Sequence, residues 1–177
     1  MAAARAGLPA DARPDAERLS VRRGRYLAAP SPLADELLAD LASVAWPTLD
    51  HAYGPALDTP QHLRVLMADD DRLRADALEL LGESVLHQGS VYAATAPAMR
   101  FVRRLALDPR VPGRPALLGL LTAAHAVSGD GQDAELGKVV GDMPDVLARL
   151  AASDPDAAVA ETAAALLGEV RRGGPRA

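Results

Sequence analysis

Asp70-Asp71-Arg72-Leu73-Arg74-Ala75-Asp76-Ala77-Leu78-Glu79-Leu80-Leu81-Gly82 returns in outline as Asp156-Ala157-Ala158-Val159-Ala160-Glu161-Thr162-Ala163-Ala164-Ala165-Leu166-Leu167-Gly168. Each copy opens on acidic residues, which suit a helix N-terminus. Each sets an aliphatic residue (Leu73, Val159) four positions before an alanine (Ala77, Ala163) and closes on Leu-Leu-Gly. A spacing of four puts such residues on one helix face. A recurring amphipathic helix implies a chain built from similar units that bury their apolar faces against one another.

The composition agrees with this. Hydrophobic residues make up 49% of the 177 residues and aromatics only 3%, so Ala, Leu and Val must fill the core. Alanine is the strongest helix former, and aromatic strand formers are scarce. An all-α domain follows. The formal net charge of −5 argues against a general nucleic-acid binder, which needs a cation-rich surface. There is no cysteine, which removes disulfides, thiolate chemistry and Cys-bound zinc. Met1 to Pro14 is broken by Arg5, Pro9, Asp11 and Arg13 and does not resemble a secretory signal. No apolar run reaches the roughly 20 residues that span a bilayer. A cytoplasmic protein without a membrane segment is expected.

Residues 1–30 read as a flexible N-terminal arm, with a short helix around Glu17–Leu27 as the ordered alternative. Residues 31–170 read as the helical domain and 171–177 as a disordered tail. Ser31-Pro32, Thr59-Pro60, Pro115 and Pro144 are start signals, since proline suits a first helical turn. The spacing predicts helices from Pro32 through Trp46, where Pro47 stops the first, from Thr59 to about Met67, Asp71–Leu86, Leu117–Val127, Ala134–Val140, from Pro144 to about Leu150, and from Asp156 to near Val170. Ser90 is expected to cap a helix carrying Val91 to Leu105. Pro97 inside it must kink or divide that helix.

Met143-Pro144-Asp145-Val146-Leu147-Ala148-Arg149-Leu150, then Ser153-Asp154-Pro155-Asp156 and Val159 to Gly168, resembles one HEAT repeat. Leu63 to Gly82 resembles a second copy, and Val91 to Val127 a more divergent third. The turns at Asp69, Asp108 and Asp154 lie 39 and 46 residues apart, against a family period of about 40–47. Trp46-Pro47-Thr48-Leu49-Asp50-His51-Ala52-Tyr53-Gly54 and His87-Gln88-Gly89-Ser90-Val91-Tyr92-Ala93-Ala94-Thr95-Ala96 are similar to stretches of actinobacterial HEAT-repeat proteins. The resemblance covers residues 32–170. It implies a short right-handed α-solenoid of about three to four stacked helical hairpins, armadillo-like in construction. The arginine that the family pattern sets after the aliphatic residue is present as Arg74 but is Ala160 in the last unit. A continuous Asp–Arg ladder through the stack is therefore not expected, and the last repeat reads as a cap.

Candidate chemistry is sparse. His51, His62, His87 and His125 include no i, i+4 pair and no HExxH, so no metal site is expected. Asp69-Asp70-Asp71 lacks the alternating ligands of a calcium loop, and helix capping accounts for it. There is no phosphate-binding glycine motif and no nucleophile elbow, and no cofactor is expected. Trp46, His51, Tyr53, His87, Gln88 and Tyr92 gather aromatic and amide groups at the ends of neighbouring helices. They either pin the first hairpin to the second or form a binding site for a partner. Arg100, Arg103 and Arg104 share a helix face, which either is solvated or meets an acidic partner or phosphate.

The resemblance implies a non-catalytic scaffold whose partner is another protein. Pairing of two copies through the repeat ends or the N-terminal arm is a further expectation. Two rivals stand beside it. One is a helical-repeat enzyme, glycosylase-like or lyase-like. The other is an immunity or antitoxin-like protein that masks a basic target with the acidic segment Asp35 to Glu83.

Overall fold

The computed structural model describes residues 32–68, 70–128 and 133–173. The expected N-terminal arm, Asp69, residues 129–132 and residues 174–177 lie outside these. The helices are α1 (Pro32–Ser43), α2 (Thr59–Val65), α3 (Asp71–Val85), α4 (Thr95–Leu107), α5 (Arg114–Ser128), α6 (Ala134–Val140), α7 (Met143–Ser153) and α8 (Ala157–Gly173). Among the described residues the only strands are the two-residue pair β1 (Asp50–His51) and β2 (Gly54–Pro55), which run antiparallel. The fold is all-α.

The local chemistry of the helix starts is visible. Asp70 Oδ1 accepts the Leu73 N–H at 3.1 Å, and Asp133 Oδ1 accepts those of Glu135 and Leu136 at 2.8 and 3.0 Å. Asp156 Oδ1 does the same for Ala158 at 2.9 Å. Each satisfies an amide that has no partner within its helix. Pro32, Pro60 and Pro144 stand in first turns, where a missing N–H costs nothing.

Two helices differ from the expectation: α1 ends at Ser43, and Trp46 lies beyond it in a separate 3-10 turn, Trp46–Thr48, with its N–H bonded to the Val44 carbonyl. α4 begins at Thr95, not after Ser90. The Ala94 N–H is taken by the Asp50 carbonyl at 3.0 Å, and the Tyr92 N–H by Thr95 Oγ1 at 2.9 Å. These bonds hold 91–94 out of the helix. Pro97 then falls in the first turn of α4 and neither kinks nor divides it.

Helices pair along the chain. α2 packs on α3, α4 on α5, and α7 on α8. Between pairs, α2 meets α4, α3 meets α5, and α5 meets α8. α6 lies against both α4 and α5, and α1 lies against α2. The shared core includes Leu63, Leu81, Met99, Leu118, Leu121 and Leu147, with alanines 77, 98, 106, 124 and 163 letting backbones approach closely. The two copies of the repeated helix use their matching positions alike at first. Leu73 and Val159 are buried, and Ala77 and Ala163 have no exposure. They then diverge. Leu81 is wholly buried, whereas Leu166 and Leu167 are only half-buried. α3 has α5 packed beyond it, whereas among the described residues no helix follows α8.

A buried ion pair locks two of these layers. Arg114, at the start of α5, donates Nη1 and Nη2 to the Asp154 carboxylate at 3.0 and 2.6 Å. Its Nε donates to the Ala106 carbonyl of α4 at 2.8 Å. The side chains of Arg114 and Asp154 are 2% and 4% exposed. One guanidinium thus joins α4, α5 and the α7–α8 turn with both carboxylate oxygens engaged, the bidentate arrangement to which its planar fork is suited. Arg74 behaves differently. It bonds within its own unit, to Asp71 and the Ala68 carbonyl.

Candidate functional site

Trp46 belongs to the core. It is 4% exposed, its Nε1–H donates to the Leu41 carbonyl at 2.9 Å, and its ring lies 6.2 Å from that of Phe101. Of the two roles open to it, the structure places it in packing.

His51 is also buried, at the β1 end of the small hairpin. Its Nδ1 accepts the Tyr53 N–H at 3.0 Å, which puts the ring proton on Nε2. Nε2 then donates to Asp58 Oδ1 at 2.9 Å. Both ring nitrogens are engaged, so the residue braces the 50–58 segment. The same segment is tied elsewhere: the Ala52 N–H reaches the Ser84 carbonyl at 2.9 Å, and the Ala56 N–H reaches that of Leu49 at 2.8 Å. Gly54, at φ +114°, opens β2 directly after the turn, in a conformation that disfavours a Cβ.

This braced segment holds Tyr53 and Leu57 outward, 41% and 65% exposed. The Tyr53 ring stands edge-on to His51 and His87, with centroids 6.1 and 5.5 Å away. Its hydroxyl is 3.3 Å from His87 Nδ1, and Glu83 Oε2 lies 3.5 Å from the same nitrogen. Gln88 is exposed beside His87 in a left-handed conformation, φ 51° and ψ 34°. Gly89 follows at φ 75°. Tyr92 is half-buried in the turn leading to α4. The structure therefore joins His51, Tyr53 and His87 in one row and sets Trp46 apart from it.

The three arginines of α4 are committed internally. Arg100 faces Glu135 at 3.4 Å, and Arg104 pairs with Asp40 of α1. Arg103 grips Asp142 with both terminal nitrogens, at 2.5 and 2.8 Å, and donates to the Val139 carbonyl at 2.6 Å. That contact caps the C-terminal end of α6. Hydrogen bonds from Arg103 hold the Asp142 carboxyl below the usual range, and the same bonds raise the Arg103 guanidinium. The shared helix face expected from spacing exists, but it fastens α4 to α1 on one side and to α6 on the other.

Several residues that matter here gave little sign in the sequence. Asp58 is the partner of His51, and Leu57 is the most exposed large apolar side chain described. Leu57 lies outside any helical period, between Pro55 and Thr59-Pro60, and that isolation was the available signal. Thr59 Oγ1 and His62 Nδ1 are buried without partners. Desolvation lowers the pKa of His62, an effect that Asp58 opposes and His51 reinforces.

Two grooves follow the boundaries between helix pairs. One, of about 230 Å³, runs between the first turns of α3 and α5 and is lined by Leu66, Ala75, Leu78, Ala116, Leu117 and Asp71 among others. The second, of about 380 Å³, lies between the α4–α5 turn and α7 and includes Leu107, Val146, Arg149 and Leu150. Among the described residues no group of three or more His, Asp or Glu side chains is gathered as a metal site, and no helix is long and apolar enough to cross a membrane.

Compared with family models, curated proteins and solved structures, the chain matches none.

Proposed function

We propose that this chain is a non-catalytic protein-binding module built as a short HEAT-like stack of helix pairs. The resemblance in its repeated helices supports that reading, and so does the order of packing, in which each pair meets the next along the chain. The outward Tyr53 and Leu57 on the braced 50–58 segment carry the functional part. Large apolar groups on a backbone fixed before binding lose little freedom when a partner covers them. Tyr53 adds a hydroxyl handle, and His87 and Gln88 supply a polar rim. The partner is a protein surface with an apolar patch that accepts Leu57 and Tyr53.

The test compares wild type with Leu57→Asp and Tyr53→Ala as immobilised baits in lysate of the native host. Leu57→Asp lies at an exposed position and is expected to leave melting nearly unchanged, while Tyr53→Ala also loses its contacts with His51 and His87 and is used only after melting shows it folded. A protein recovered in stoichiometric amount by wild type should fall about tenfold or more with either variant, in line with loss of an interface anchor. Unchanged recovery with both variants would remove this surface from the reading. Recovery of nucleic acid alone would overturn the protein-binding assignment.

A further inference from the structure

Three of the four histidines in this chain act on the 50–58 hairpin: His51 within it, His62 on α2 and His87 beyond the end of α3. His51 is the one whose protonation the geometry does not accommodate. Its Nδ1 accepts the Tyr53 N–H at 3.0 Å, and its Nε2 donates to Asp58 Oδ1 at 2.9 Å. Those two bonds need the neutral ring with its single proton on Nε2. A second proton has only Nδ1 to go to. There it turns an acceptor into a donor and sets two N–H groups against each other across the 3.0 Å contact. Histidine is the side chain that ordinarily changes charge between about pH 8 and 5.

The surroundings decide which end gives way. Asp58 favours the charged ring and keeps its bond to the Nε2–H, since a charge-assisted bond is the stronger kind. Asp50, exposed beside His51 in β1, and Glu83, near the end of α3, add further negative charge. His62, buried on α2, opposes a second positive charge, as His51 opposes one on His62. The turn before α4, bonded to the Asp50 carbonyl through Ala94, brings Tyr92, and tyrosines ordinarily titrate far above this range, near about 10.

The tip is held more loosely than the root. Gly54 follows Tyr53, and no atom lies within 4 Å of where its Cβ would sit, so the backbone has room and freedom to turn there. The Tyr53 hydroxyl meets His87 Nδ1 in an exposed contact of 3.3 Å. Once protonated, that nitrogen has Glu83 Oε2, 3.5 Å away, as a charged partner in place of the phenol. The Ala52 and Ala56 amides are instead tied to the Ser84 and Leu49 carbonyls, which do not titrate.

We propose that His51 is an acid-sensitive catch on this hairpin: its neutral ring holds the Tyr53 backbone in place, and mild acid frees Tyr53 while Ala52 and Ala56 stay bound. The consequence for docking rests on the reading of Tyr53 and Leu57 as anchors, but the release is a property of the chain alone.

Amide hydrogen exchange followed by NMR on the protein without any partner tests the release separately from that reading. Between about pH 7.5 and 5 the Tyr53 amide, scored against an unstructured chain at the same pH, should lose protection about five- to tenfold, the worth of one hydrogen bond. The Ala52 and Ala56 amides should change by less than about twofold, because their acceptors are backbone carbonyls. The loss at Tyr53 should follow the titration of the His51 ring, read from its Hε1 resonance in the same samples. In His51→Asn the Oδ1 accepts the N–H two residues on, as in an Asx turn, and carries no titrating proton, so Tyr53 protection should be independent of pH. His62→Leu should retain the loss, and its disappearance there would overturn the proposal by assigning the response to His62. Constant Tyr53 protection in wild type, a midpoint apart from that of His51, or joint loss at Ala52 and Ala56 would also overturn it. So would an unchanged pH response in His51→Asn, and the wild-type readouts decide the matter should that variant not fold.

Discussion

Replacing Arg114 by alanine should be among the most damaging single substitutions available in this chain. The guanidinium makes two bonds to Asp154 and one to the Ala106 carbonyl, all but closed off from water. Its removal leaves a carboxylate that is 4% exposed and retains one partner, the Asp156 N–H at 3.0 Å. Breaking a buried pair from one side costs about 3–5 kcal/mol. A stranded Ala106 carbonyl has a cost of its own, about 1–3 kcal/mol, which does not simply add. Against a total stability of about 5–15 kcal/mol, the variant stays folded with a narrow margin. At a urea slope of about 2 kcal/mol per molar, the unfolding midpoint drops by about 1.5–2.5 M. Arg114→Met with Asp154→Leu removes both charges together and should recover much of the loss. The assay is urea unfolding followed by circular dichroism, run as a double-mutant cycle. A cost below about 1 kcal/mol for Arg114→Ala, or a double variant no better than the single one, would refute the reasoning that this pair is buried and mutually dependent.

Acid should act on the same contact. Hydrogen bonds from Arg114 hold the Asp154 carboxyl below its usual 3.8, against the opposing pull of burial. The unfolded chain therefore takes up that proton first on acidification. The stabilisation is complete above the usual carboxyl range and is lost as pH falls below about 3.8 toward the folded value. The acid limb of the stability curve should be shallower in the double variant than in wild type. His62 should add a separate step at milder pH. Burial lowers its pKa from 6.5, so its contribution is whole above that value and declines as pH falls below it, and His62→Leu should flatten the curve there. Leu81→Ala should cost about 2–5 kcal/mol in urea unfolding. Leu167→Ala, half-exposed on the last helix, should cost clearly less, although the two residues match in the sequence repeat. Gln88→Gly should stabilise by about 1 kcal/mol, because a side chain at φ 51° is strained where glycine is not. A melting temperature unchanged or lowered by that substitution would contradict it.

The candidate site was legible in parts. Tyr53 and His87 stood out as aromatic and imidazole groups near helix ends, and the structure does bring them together across 34 positions of sequence. Trp46 stood out on the same grounds and went to the core, because a large ring with one donor can be satisfied either way. The Arg100, Arg103 and Arg104 face was correct as geometry. Its partners Asp40, Glu135 and Asp142 lie on other elements, and no spacing rule reaches them. The start of α4 was misplaced for a similar reason. The bond from Ala94 to Asp50 spans 44 positions and competes with helix formation from outside the local sequence.

Helix content, the caps at Asp70 and Asp133, the proline starts and the recurrence of Leu73-to-Gly82 as Val159-to-Gly168 were all set by the order of amino acids. Each depends on residues within about one or two helical turns of one another, where covalent geometry and local hydrogen bonding decide. Which leucine of a matched pair is buried, and which arginine is a lock and which stays in its own unit, was decided only by the tertiary structure. Burial and charge pairing depend on what lies across the gap between helices, and that is a property of packing. Arg114 and Arg74 are the same side chain near the start of comparable helices. One meets the carboxylate of the next layer and the other folds back on Asp71.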